Sequence, residues 1–133
     1  MNTYLKSLGA AFLLCFLLSI GASAQNKIDK QVDKVSTVGS ATFTSAVERD
    51  PATHEVVKVV KVLKVKGQPA DKLYLAFKDE RESGSFSEQK TENERTLTLT
   101  CESEKQVRIY MLRLTGRYYY DAQCTIIIKN KQK

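Results

Sequence analysis

The stretch 55–66, EVVKVVKVLKVK, holds seven apolar residues in the ten positions from Val56 to Val65, interrupted by Lys58, Lys61 and Lys64. A helix would gather the three lysines within an arc of about 120°. Six of the seven apolar residues are valines, however, and their branched Cβ is unfavourable in helices and packs well on a pleated sheet. The preceding stretch 41–48 alternates Phe43 and Ser45 with Thr42, Thr44 and Ala46, and Asp50-Pro51 supplies a turn. The pattern predicts a β-hairpin, in which Lys58, Lys64 and Lys66 share one face and Lys61 points to the other.

On either side of the hairpin the period is helical. Asn26 is placed to cap a short helix that begins at Lys27, with Asp29 in its first turn and Ile28, Val32 and Val35 as one narrow apolar stripe. Gly39 leads out of it. After Gly67-Gln68-Pro69, the residues Leu73, Ala76 and Phe77 recur at helical spacing with Tyr74 alongside, predicting a second helix over about 70–82 that starts near Pro69 and is stopped by Gly84.

Beyond Gly84 the period becomes two. The polar stretch 85–94, with Phe86 as its large apolar residue, reads as a short edge strand or a loop. Leu97, Leu99 and Cys101 alternate with Thr96, Thr98 and Thr100, giving a half-buried strand with threonines outward. Val107, Ile109 and Met111 begin the next strand, yet Leu112 and Leu114 have the opposite parity. That strand is either covered on both faces or shifted by a bulge near Met111. Thr115-Gly116 turns the chain, and Ala122, Cys124, Ile126 and Ile128 form the last inward-facing set, with Ile127 making its centre apolar on both faces. The order is helix, hairpin, helix, then three or four antiparallel strands. An α+β fold with two short helices packed on one face of a mainly antiparallel β-sheet buries every stripe.

The first 24 residues change the picture of where this happens. Lys6, an apolar core over 8–20 and the small-residue site Ala22-Ser23-Ala24 read as an export signal removed before Gln25. The core is too short to span a bilayer, which takes roughly 20 residues. Cys15 is not a lipid-attachment site, because Leu14 stands where such sites need a small residue. Removing 24 of 133 residues leaves 109, enough for a single small domain, 25–133. The signal carries one of 21 basic residues and none of 15 acidic ones, so the net charge of +6 becomes +5. That is a moderate basic charge with weak attraction to anionic surfaces.

The mature chain keeps Cys101 and Cys124. An even pair in an exported protein points to a disulfide, with two buried thiols as the alternative. If the strand that begins at Val107 lies between theirs, the two cysteines are about 10 Å apart, beyond the reach of a bridge. His54, the single histidine, falls in the hairpin turn with no nucleophile at a useful spacing. Neither a Gly-rich phosphate loop nor a C-x-x-C pair is present, so no cofactor and no metal is expected. The lysines of 58–66 divide between two faces and form no phosphate-tracking stripe, which argues against nucleic acid. The acidic residues Asp79, Glu80, Glu82, Glu88, Glu92 and Glu94 alternate with Lys78, Arg81, Lys90 and Arg95. They read as a solvated mixed-charge surface, or as carboxylates that converge in the fold. Arg117-Tyr118-Tyr119-Tyr120 is less ordinary, since three successive tyrosines cannot all point inward from a strand. Tyrosine beside arginine is the composition of a contact surface for protein or sugar.

The signal ending Ala-Ser-Ala-Gln, the opening KIDKQVDKVSTVGSATFTSAVERDP, the valine-lysine strand and the closing VRIYMLRLTG…CTIIIKN resemble a family of small exported proteins of unknown function from Gram-negative gut anaerobes. The resemblance implies an envelope location and one α+β domain, and carries over no catalytic or binding residues. The expectation is an exported, non-enzymatic binding module, periplasmic or extracellular, with a protein or glycan partner and no membrane anchor after signal cleavage. The alternative is a small hydrolase whose paired carboxylates come together in one cleft.

Overall fold

The computed structural model describes residues 25–131; the expected export signal lies outside the described residues. Helix α1 (Lys27–Val35) starts as the sequence predicts. The Asn26 side chain accepts from the Ile28 and Asp29 amides at 2.9 and 3.0 Å, and the Asp29 carboxylate accepts from the Asn26 amide at 3.0 Å, so two end amides and a cap amide are satisfied reciprocally. Strands β1 (Thr42–Arg49) and β2 (Val56–Lys66) form the hairpin, antiparallel, with a register irregularity at Glu48 and Arg49. Its turn is held by Asp50, whose carboxylate accepts from the Ala52 and Thr53 amides at 2.8 and 3.0 Å. Those bonds hold its pKa below the usual carboxylate value. His54 sits exposed in this turn in the left-handed region.

Helix α2 (Gln68–Asp79) is followed by β3 (Ser85–Lys90), β4 (Glu94–Glu102), β5 (Gln106–Thr115) and β6 (Asp121–Asn130). All six strands form one antiparallel sheet in the order β1-β2-β6-β5-β4-β3. The last four strands are a meander that closes back on β2. Helix α2 is the crossover that makes this order reachable. Its 12 residues span about 18 Å, close to the roughly 19 Å of four strand spacings between β2 and β3.

Helix α2 ends at Asp79, before the expected limit, and Gly84 is not its stop. Gly84 instead lies against β4, where a Cβ would run into the Thr100 carbonyl oxygen. Both helices cover one face. Ile28, Val32 and Val35 from α1, and Ala70, Leu73, Ala76 and Phe77 from α2, pack on Leu63, Leu97, Leu99, Tyr110, Leu112, Cys124 and Ile126 of the sheet. The parity conflict in β5 is resolved without a bulge, because its register with β4 and β6 is continuous. Tyr110, Leu112 and Leu114 face the helices, while Val107, Ile109 and Met111 lie half-buried on the opposite face.

The cysteine expectation needs correction. Cys101 opposes Arg108 and Cys124 opposes Leu112 on either side of β5, so the two strands are separated by a third. That places them at least about 10 Å apart, and both thiols are free. Burial pushes the Cys124 thiol up to about 12 and raises that of Cys101 as well.

Candidate functional site

The link between β5 and β6 is where the backbone departs most from its preferences. Gly116 has φ 83°, and Arg117–Tyr119 forms one 3₁₀ turn in which Tyr118 and Tyr119 take φ of 64° and 55°. Two successive bulky residues in the left-handed region cost on the order of 1–2 kcal/mol each and persist only where the surroundings hold them. Here they are held at both ends. The Tyr119 ring lies against Arg95, whose guanidinium carbon is 5.0 Å from it and 5.1 Å from the Tyr74 ring. Arg95 is itself tied to Glu88 at 3.3 Å, and Glu88 to Lys78 at 2.8 Å. The Tyr120 carbonyl accepts from the Gly67 amide at 2.9 Å, and a Cβ on Gly67 would come within 3.2 Å of the Tyr120 hydroxyl.

Between these anchors Tyr118 is driven outward. It is 84% exposed and Tyr120 is 60% exposed. The Arg117 guanidinium lies 5.6 Å from the Tyr118 ring. Of the four residues the sequence singled out, three are therefore presented to solvent and Tyr119 is the fastening. They lie in a turn rather than at the head of a strand.

An open cavity of about 430 Å³ adjoins this turn, and Thr115 and Asp121 at the ends of the turn line it. Lys64, Lys66, Arg113 and Gln123, with Ser40 and Thr42, complete its polar wall. Lys66 pairs with Asp121 at 3.9 Å and Arg113 with Glu94 at 2.7 Å, while Lys64 has no carboxylate partner among the described residues. The wall can therefore offer donors to hydroxyl, carbonyl or anionic groups.

The cavity opens onto the helix-free face of the sheet. Cross-strand register puts Ala46, Val60, Ile127, Ile109 and Thr100 in one row and Thr44, Val62, Thr125, Met111 and Thr98 in the next. The result is an apolar band edged by threonines, with no described element above it. At one end Lys58 directly opposes Lys129, a like-charge pairing that favours a nearby counter-charge. Lys61 points to the helix side, opposite Ile126, as the strand parity requires.

The remaining candidates do other things. Glu88 and Glu94 are in the ion pairs just described, and Asp79 pairs with Lys27 at 3.5 Å between the two helices. Among the described residues no three His, Cys, Asp or Glu side chains converge as metal ligands would. Sequence reasoning missed a buried polar cluster. Asp29, 5% exposed, accepts from the Tyr110 hydroxyl at 2.8 Å and pairs with Arg108 at 3.4 Å. Burial and the Asp29 charge raise the Tyr110 phenol well above its ordinary value. The arginine and tyrosine alternating with Ile109 were the available signal, since both lie on the parity of Leu112 and Leu114.

Fold and site define a small α+β sandwich with one covered and one open sheet face. The chain matches no family model, no curated protein and no solved structure.

Proposed function

We propose that this protein is an exported, non-enzymatic binding module, a member of the kind of small envelope family its sequence resembles. It engages a protein or glycan through the tyrosine turn and the cavity and open sheet face beside it. One observation carries the reading: Tyr118 stands almost fully exposed on left-handed backbone that Tyr119 and Tyr120 hold in place. A rigid aromatic presented at a conformational cost gives contact area with little entropy left to lose on binding. Arg117, Tyr120 and the donors of the cavity wall supply polar contacts around it.

The test is affinity capture from the envelope of the native cell, with mature protein and with a Tyr118→Ala/Tyr120→Ala double variant, read by mass spectrometry and on immobilised glycans. A partner enriched by the native protein and lost by the double variant, at unchanged thermal midpoint, supports the reading. Equal capture by both forms places the binding surface elsewhere and overturns it.

A further inference from the structure

The two edges of the sheet are treated differently. Strand β3 is short and turns Glu88 and Lys90 toward the helix side, where Glu88 is tied to Lys78 and Arg95. Charges and short length are the usual ways of blunting an edge. Strand β1 has neither protection over 42–47, TFTSAV, which is uncharged, free of proline and rich in β-formers. All eight residues of β1 are exposed. Phe43 is 37% and Val47 51% exposed on the helix side of the sheet.

We infer that β1 pairs antiparallel with β1 of a second copy of this chain, about a two-fold axis at Ser45, to give a continuous twelve-stranded sheet. In an antiparallel pair, directly opposed residues lie on the same face, so a register centred on Ser45 sets Phe43 against Val47 of the second copy and the reverse. Phe43 is paired with Leu63, which is paired with Cys124; Val47 is paired with Val59, which is paired with Ile128. The junction thus joins two apolar rows into one that runs from core to core. Moving the centre by one residue would set Phe43 against Arg49 or Ser45 and break that row.

Charge agrees on the other face. Glu48 would oppose Thr42 of the second copy, and those residues are paired with Lys58 and Lys64 respectively. Each Glu48 then lies between a lysine of its own chain and Lys64 of the other, which has no carboxylate partner within its own described chain. The two-fold axis makes every such contact occur twice.

The experiment combines mass and cross-linking on the mature chain. Sedimentation over a concentration series should show a dimer, and Val47→Lys, at an already exposed position, should raise its dissociation constant about tenfold or more. Under mild oxidation Ser45→Cys should give a dimer whose link maps to position 45 of both copies, since directly opposed Cα atoms lie about 4.5–5.5 Å apart, within disulfide reach. Thr44→Cys, whose own copies lie on the diagonal at about 7–8 Å, should link far less. A native chain that stays monomeric at millimolar concentration overturns the inference. So does a dimer indifferent to Val47→Lys, or equal linking at positions 44 and 45.

Discussion

Asp29 does three jobs at one carboxylate. It closes the capping box of α1, accepts from the Tyr110 hydroxyl and neutralises Arg108 under the helix layer. Removing it breaks the buried ion pair with Arg108 and deletes the cap, so Asp29→Ala should cost about 3–5 kcal/mol. Tyr110→Phe deletes only the bond to a charged acceptor and should cost about 1.5–3 kcal/mol. Urea unfolding of the two variants checks the order. The sequence showed Asp29 only as a first-turn acid, because its partners lie some eighty residues away and the spacing of one strand says nothing about which helix end will rest on it. Tyr118 is the reverse case: its exposure follows from three tyrosines competing for one inward direction, and the sequence shows that much. That Tyr119 would be the one held follows from Arg95, which reaches the turn only through the β4–β5 pairing.

Helix α2 is fixed by a stripe the sequence displays, and Phe77→Ala should cost about 3–5 kcal/mol, the ring being fully buried. Lys72→Ala, on the exposed face, should stay within about 0.5 kcal/mol. Lys78 is not an equivalent control. Its ammonium bonds Glu88 at 2.8 Å, which raises its pKa, and lies over the Tyr74 and Phe86 rings. The loss on Lys78→Ala should therefore exceed that of Lys72→Ala, as paired denaturation curves will show. The end of the helix was misplaced for a related reason. Gly84 looks like a terminating glycine by position, whereas its small size answers the Thr100 carbonyl beside it, and Gly84→Ala should lower the thermal midpoint with no loss of α2 helicity by circular dichroism.

At the scale of the molecule, the two free cysteines tie burial to pH. The Cys124 thiol has its pKa raised from 9.0 to about 12 by burial, so the folded state holds the proton that the unfolded chain releases. The stabilisation is fully present below pH 9 and is lost as pH rises toward 12, at about 1.4 kcal/mol per pH unit for one group. Tyr110, raised above 10.0, adds to the loss at higher pH. Denaturant midpoints should hold from pH 8 to 9 and fall from pH 9 to 11, and Cys124→Ala should flatten that fall whatever its own cost at neutral pH. Thiol titration should find Cys124 unreactive in the native protein and two reactive thiols once a chain beginning at Gln25, checked by intact mass, is denatured without reductant.

The chain's own pattern was enough for the helices' apolar stripes, the valine hairpin, the threonine-outward strand and the α+β class, because each depends on period and propensity over a few neighbouring residues. It was not enough for the separation of Cys101 from Cys124, for the inward face of β5, or for the bare edge at β1. Those depend on strand order. Tyr110, Leu112 and Leu114 are buried and Ile109 and Met111 are not because both helices lie on one side of the sheet, and β1 is left open because the meander closes on β2 from the other side. No local property of an apolar residue says which of two sheet faces will receive the helices.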